Sequence, residues 1–157
     1  MNKTYKIKET KSIILRETQV ENPLLDTPEK VVEFLKRELP ASVAFRPDVE
    51  NMIVVAINTR RRITAFEILS QGTLDSLLVH PREIFKFAIL ANAAAIILAH
   101  NHPSGDPTPS EADIKVTREI IRAGQLMKSE LLDHVILGDT TAEHKGYNSL
   151  RELGYFF

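Results

Sequence analysis

The chain has 157 residues, no cysteine and a formal net charge of −1, with 43% hydrophobic and 26% charged residues. That length suits one domain with a single good core, and the composition is that of a globular rather than a disordered chain. The near-zero charge gives no electrostatic reason for the chain as a whole to bind nucleic acid. Without cysteine there are no disulfides or thiolate metal ligands, which fits a reducing cytoplasm, the expected location. No apolar run approaches the roughly 20 residues of a membrane span, and Met1 to Glu9 alternates charge instead of forming a signal-peptide core.

Residues 1–26 are polar with scattered apolar positions. Tyr5 and Ile7 alternate with Lys6 and Lys8, and Ile13-Ile14-Leu15 is a short apolar run, so a β-like arm of one or two strands is expected. Thr27-Pro28 is a helix start, with a hydroxyl N-cap and proline at the first helical position. Val31, Val32, Phe34, Leu35 and Leu39 supply its apolar face, and Pro40 ends it. Glu50 to Asn58 reads as a buried strand centred on Met52–Ile57. Asn58-Thr59-Arg60-Arg61-Arg62 reads as a hairpin turn, and Ile63 to Ser70 as the return strand, ending at Gln71-Gly72.

Pro81 opens a second helix with Ile84, Phe85, Ala88 and Ile89 on one face. The continuous apolar run Ala93–Ala99 suits a central strand buried on both sides. A third helix starts at Ser110 and runs to about Leu126, with Gly124 near its end. Leu131–Leu137 reads as a strand stopped by Gly138-Asp139. The tail Leu153-Gly154-Tyr155-Phe156-Phe157 is too apolar for a solvated end, and with the β-like arm it suggests a homodimer. Helices interleaved with strands, one hairpin among them, indicate an α/β or α+β domain with a mixed sheet.

The chemistry concentrates in His100-Asn101-His102-Pro103-Ser104-Gly105, followed by Pro109-Ser110 and Asp113. Alternate strand residues share a face, so His100 and His102 can chelate one ion while Asn101 points away. The Pro-Ser-Gly turn, stiffened by Asp106-Pro107 and Thr108-Pro109, brings back a helix whose first turn holds Asp113. Two neutral imidazoles and one carboxylate leave Zn²⁺ a net positive charge and an open position, which lowers the pKa of a bound water toward about 7. One Zn²⁺ per chain is expected. Ser110-x-x-Asp113 is equally a capping box, which accounts for those two residues without a metal but not for the histidine pair.

The spacing His-x-His, seven residues, Ser, two residues, Asp resembles the signature of the JAMM (JAB/MPN) metallohydrolases. The wider context of Val79–Lys86, Ala93–Gly105, Asp133-His134-Val135-Ile136 and Gly72-Thr73 resembles the RadC family of bacterial DNA-repair-associated proteins. The likeness covers residues 27–157, with 1–26 as a separate arm. It implies a cytidine-deaminase-like fold with a mixed central sheet flanked by about three helices. It also implies a zinc-dependent metallopeptidase or isopeptidase acting on a protein or peptide. His100, His102 and Asp113 would be the ligands, and Ser110 the oxyanion stabiliser. The family's catalytic Glu opens the strand after the first helix. Glu50 matches that place, with Glu67 and Glu83 as the other candidates.

Longer RadC proteins carry an N-terminal helix-hairpin-helix region. Residues 1–26 are too short and too β-like for one, so direct nucleic-acid binding is not expected. Two rival functions stand beside hydrolysis of an amide: a non-catalytic metal-binding module in DNA repair or mobile-element biology, and a metal-dependent nuclease. Asn101 and Ser104 are expected to shape the loop. His80 neighbours a helix cap, His134 is a satisfied structural histidine in an apolar strand, His144 is solvated, and Arg60-Arg61-Arg62 is a solvated turn.

Overall fold

The computed structural model describes residues 24–72 and 79–157. In chain order the elements are α1 (Pro28–Glu38), a 3-10 turn (Leu39–Ala41), β1 (Glu50–Ile57), β2 (Ile63–Gly72), α2 (Pro81–Leu90), β3 (Ala95–Asn101), α3 (Glu111–Met127), β4 (Glu130–Thr140) and β5 (Lys145–Ser149). The five strands form one sheet in the order β2-β1-β3-β4-β5. Only β3 and β4 run parallel, joined by α3, while the other pairs are antiparallel. This is the mixed sheet with three helices that the sequence predicts. The strands expected within residues 1–23 lie outside the described residues. Just after them, Leu24 bridges Arg62 and Leu25 donates to the Arg61 carbonyl.

All eight residues of β1 are buried, because helices cover both faces of the sheet. On one face Ile53, Val55, Ile57, Ile97 and Val135 pack against Val31, Phe34 and Leu35 of α1. On the other, Met52, Val54, Ala56, Ile96 and Leu98 pack against α2 and α3 through Ile84, Phe85, Ala88 and Ile120. The alternation in β1 and β3 therefore splits one apolar run between two cores. Thr27 caps α1 by accepting from Lys30 N, with proline at the first helical position as expected.

Several boundaries differ from the sequence reading for identifiable reasons. β3 starts at Ala95 and runs through His100 and Asn101, because Ala93 and Ala94 belong to the turn after α2, where Asn92 takes φ 51°. On α2, Phe87 is buried and Ile89 exposed. His80 is itself the cap of α2, its Nδ1 accepting from Arg82 N at 3.1 Å. Gly124 lies inside α3, where the Ser129 carbonyl comes close, and Lys128 takes the left-handed end at φ 55°.

β4 does not stop at Gly138-Asp139 but continues to Thr140, and β5 pairs with it, an element the sequence reading lacked. Gly138 is where the loop after His102 touches the sheet. Asp139 N donates to the Gly105 carbonyl at 2.7 Å, and a Cβ on residue 138 would lie 2.3 Å from that oxygen. Gly138→Ala is therefore expected to destabilise the fold by about 1–3 kcal/mol, since the clash outweighs the strand propensity gained. A denaturant midpoint lowered at unchanged slope checks it.

Of the tail, Tyr155 and Phe156 are half-buried against Ile114, Ile136 and Leu150, whereas Leu153 and Phe157 are exposed. The packing expected of the tail is met by those two residues.

Candidate metal centre

β3 ends beneath the start of α3, and the ligand candidates meet there. His100 pairs in register with Met52 of β1 and is fully buried. Its Nε2 lies 3.2 Å from Asp113 Oδ1 and 3.0 Å from His102 Nε2. His102 Nε2 is 3.7 Å from Asp113 Oδ2. One ligand atom from each of His100, His102 and Asp113 lies within 4.8 Å of the others. No other such group of three occurs among the described residues.

The loop fixes His102. Its backbone N–H donates to the Leu137 carbonyl, and its Nδ1 sits 2.7 Å from the Asp106 carbonyl oxygen. A carbonyl only accepts, so Nδ1 carries a proton and Nε2 is the ring nitrogen aimed into the cluster. Asp106 is held in turn, as its backbone N–H donates to Ser104 Oγ and its Oδ1 accepts from Thr108. Ser104 thus shapes the loop as expected.

At the head of α3 the capping box is complete. Ser110 Oγ accepts from Asp113 N at 3.1 Å and donates to Asp113 Oδ2 at 2.7 Å, and Ser110 N donates to the same oxygen at 2.7 Å. Capping and clustering coexist, because Asp113 turns its other oxygen, Oδ1, toward His100.

Charge at the cluster follows from these contacts. Burial opposes ionisation of Asp113, but the hydrogen bonds of His100 and His102 outweigh it and hold its carboxyl far below the usual carboxylate range. Burial likewise disfavours charge on His102, yet the hydrogen bond of Asp113 and the Asp106 carbonyl raise its pKa above the ordinary 6.5. A carboxylate and two converging imidazole nitrogens make an N/O donor set of the kind a small borderline divalent ion such as zinc takes. The residues present therefore fit a metal ion.

Glu50 opens β1, 5% exposed, two residues before Met52 and on the same face of the sheet. Its Oε1 lies 3.9 Å from His102 Nε2. Glu67 is exposed on β2 opposite Val54, and Glu83 is exposed in the first turn of α2. Of the three acids, only Glu50 comes within 4 Å of a ligand histidine. Asn101, pointing to the opposite face, ties the two strands together. Its Oδ1 accepts from Asn51 N at 2.9 Å, and its Nδ2 donates to the Val49 carbonyl at 3.0 Å. Those bonds bracket Glu50 and hold the start of β1 against the end of β3.

The site also contains residues that the sequence reading left out of it. His134, fully buried on β4, places Nε2 2.8 Å from His100 Nδ1 and Nδ1 2.7 Å from Thr117 Oγ1 of α3. It is satisfied, as expected, and it also braces a ligand candidate. Burial pushes its pKa down to about 3. His134 reaches this face because β4 carries one extra residue: Ile96 pairs with Leu131 but Ile97 with Asp133, which leaves Leu132 as a bulge that shifts the alternation. His144 is half-buried rather than solvated, with no hydrogen-bond partner for its Nδ1. Arg60, Arg61 and Arg62 are exposed at the hairpin turn as expected.

Residues 25–155 match the model of the RadC-like JAB domain. The chain belongs to the RadC-like JAB domain family. Its relatives include a UPF0758 protein of Caldanaerobacter subterraneus, 43% identical over 91% of this chain and 57% of that protein. Another, from Moorella thermoacetica, is 54% identical over 59% of this chain and 40% of the relative. A third, from Shouchella clausii, is 37% identical over 91% of this chain and 58% of the relative. The RadC-like chain thus spans about half the length of the curated relatives it matches. Its fold is the metallohydrolase-related JAB fold, and its His100, His102 and Asp113 can hold a metal ion. Among the described residues of the RadC-like domain, no helix is long and apolar enough to cross a membrane.

Proposed function

We propose that this RadC-like domain is a zinc-dependent hydrolase that cleaves an amide or isopeptide bond in a protein or peptide. The reading is carried by the convergence of His100, His102 and Asp113 with Glu50 3.9 Å from His102 Nε2. His100, His102 and Asp113 would hold the ion. Zinc, when bound, supplies Lewis acidity, bringing deprotonation of a water close to neutral pH and polarising a carbonyl.

The chain's own groups do the rest. Glu50, buried at the start of β1 beside the ligands, takes a proton from the attacking water and delivers it to the leaving nitrogen. The Ser110 hydroxyl turns from Asp113 to donate to the oxyanion that develops on the carbonyl. Ser110 N bonds the same Asp113 oxygen, so the carboxylate keeps a donor when the hydroxyl leaves it.

The test is parallel incubation of zinc-loaded protein with peptides, isopeptide-linked conjugates and single-stranded DNA. Cleavage of an amide substrate, abolished by a chelator and restored by zinc, is the expected result. Cleavage of DNA with every amide intact would overturn the proposal in favour of a nuclease. A protein that binds no zinc after metal-replete purification would overturn it outright.

A further inference from the structure

We propose that Thr117 and His134 are positioning residues that order the protons of a buried relay, so that His100 turns a bare Nε2 toward the ion. This rests on the metal-site reading above. The relay begins at the Asp113 backbone carbonyl, which only accepts. Thr117 Oγ1 lies 2.6 Å from it, and of the two oxygens only the hydroxyl carries a proton. That proton is therefore committed to the carbonyl, because the reverse arrangement would press two oxygen lone pairs together at this distance.

The rest of the relay follows without further choice. Thr117 Oγ1 has spent its proton, so at 2.7 Å it accepts from His134 Nδ1–H. The N–H of His134 is thereby spent on Thr117, and its other nitrogen, Nε2, accepts. The donor 2.8 Å away is His100 Nδ1–H. With the ion held, His100 is left to face it with the lone pair of Nε2, the atom that lies 3.2 Å from Asp113 Oδ1 and otherwise hydrogen-bonds that oxygen. A backbone carbonyl thus sets the tautomer of a ligand ring two side chains away, and the carbonyl belongs to another ligand residue. The Asp106 carbonyl holds the proton of His102 on Nδ1 by a single bond. The two ligand histidines are oriented by separate devices, one buried and one in the loop. An outer partner of this kind fixes ring orientation and raises ligand basicity.

Three measurements decide it. Zinc affinity, read by competition with a chromophoric chelator, is expected to fall about 10- to 100-fold in Thr117→Val. Thr117→Ser, which keeps the hydroxyl, is expected to stay close to wild type. Nitrogen NMR of the zinc-loaded wild type should show His134 neutral with its proton on Nδ1. Wild-type affinity in Thr117→Val, or a His134 proton on Nε2, would overturn the relay. If Thr117→Val does not fold, the ring spectrum of the wild type decides. If the wild type takes up no zinc, the proposed function fails, while the proton position on His134 in the metal-free protein still decides the relay.

Discussion

Glu50→Gln is expected to lower kcat for amide hydrolysis by about 100- to 10,000-fold, the usual contribution of a positioned acid–base group. Glutamine keeps the size of the side chain and removes its basicity, so the packing at the start of β1 is retained. Glu50 is not among the three ligand residues, so zinc stoichiometry should not change. KM should move little, because a proton acceptor acts on the reacting atoms rather than on substrate binding. Steady-state kinetics with metal analysis on the same sample checks both halves. A loss of less than about tenfold, with zinc intact, would exclude Glu50 as the base. Glu67→Gln and Glu83→Gln serve as controls, since both acids are exposed and away from the ligand cluster.

His102→Ala is expected to abolish the zinc-induced rise in melting temperature. A ligand at about 100 times its Kd stabilises the native state by about 2.7 kcal/mol, which for a domain of this size is a shift of roughly 5–11 °C. Wild type should show that shift on zinc addition, and the variant should not. Removing a ligand should also weaken zinc binding more than the about 10- to 100-fold typical of losing an outer partner, so His102→Ala should fall well below Thr117→Val in the same assay. Scanning calorimetry with and without zinc reads the result. A shift of wild-type size in His102→Ala would remove this residue from the ligand set.

The ligand string was legible because its information is local. His100, His102, Ser110 and Asp113 sit within one strand end, one turn and one helix start, and each of those has a sequence signal. The helix starts at Pro28 and Pro81 were legible for the same reason. Glu50 became nameable only through its resemblance to a family pattern, since it lies fifty residues upstream and nothing local marks it. His134 reads as merely structural in sequence because the alternation of β4 cannot be phased there: the bulge at Leu132 moves the histidine to the face of His100. Gly138 reads as a stop in sequence because glycine in a strand signals either a break or a close approach, and only the partner backbone, here Gly105, distinguishes them. β5 was missed because Lys145–Ser149 has just one large apolar side chain, Tyr147, and its pairing depends on β4 running on to Thr140.

The separation in chain distance between the two parts of the site sets an order in time. Closing the segment from His100 to Asp113 needs one short loop, whereas bringing Glu50 beside it needs the pairing of β1 with β3, and bracing His100 needs β4 in its bulged register. Long loops close later and at greater entropic cost. A chain still on its way to the native state can therefore present the ligand trio before it possesses an acid to work with. On the proposed function, ion capture and hydrolytic competence would be separate milestones of maturation, and a half-folded copy that had taken up metal would hold no base with which to cut its neighbours.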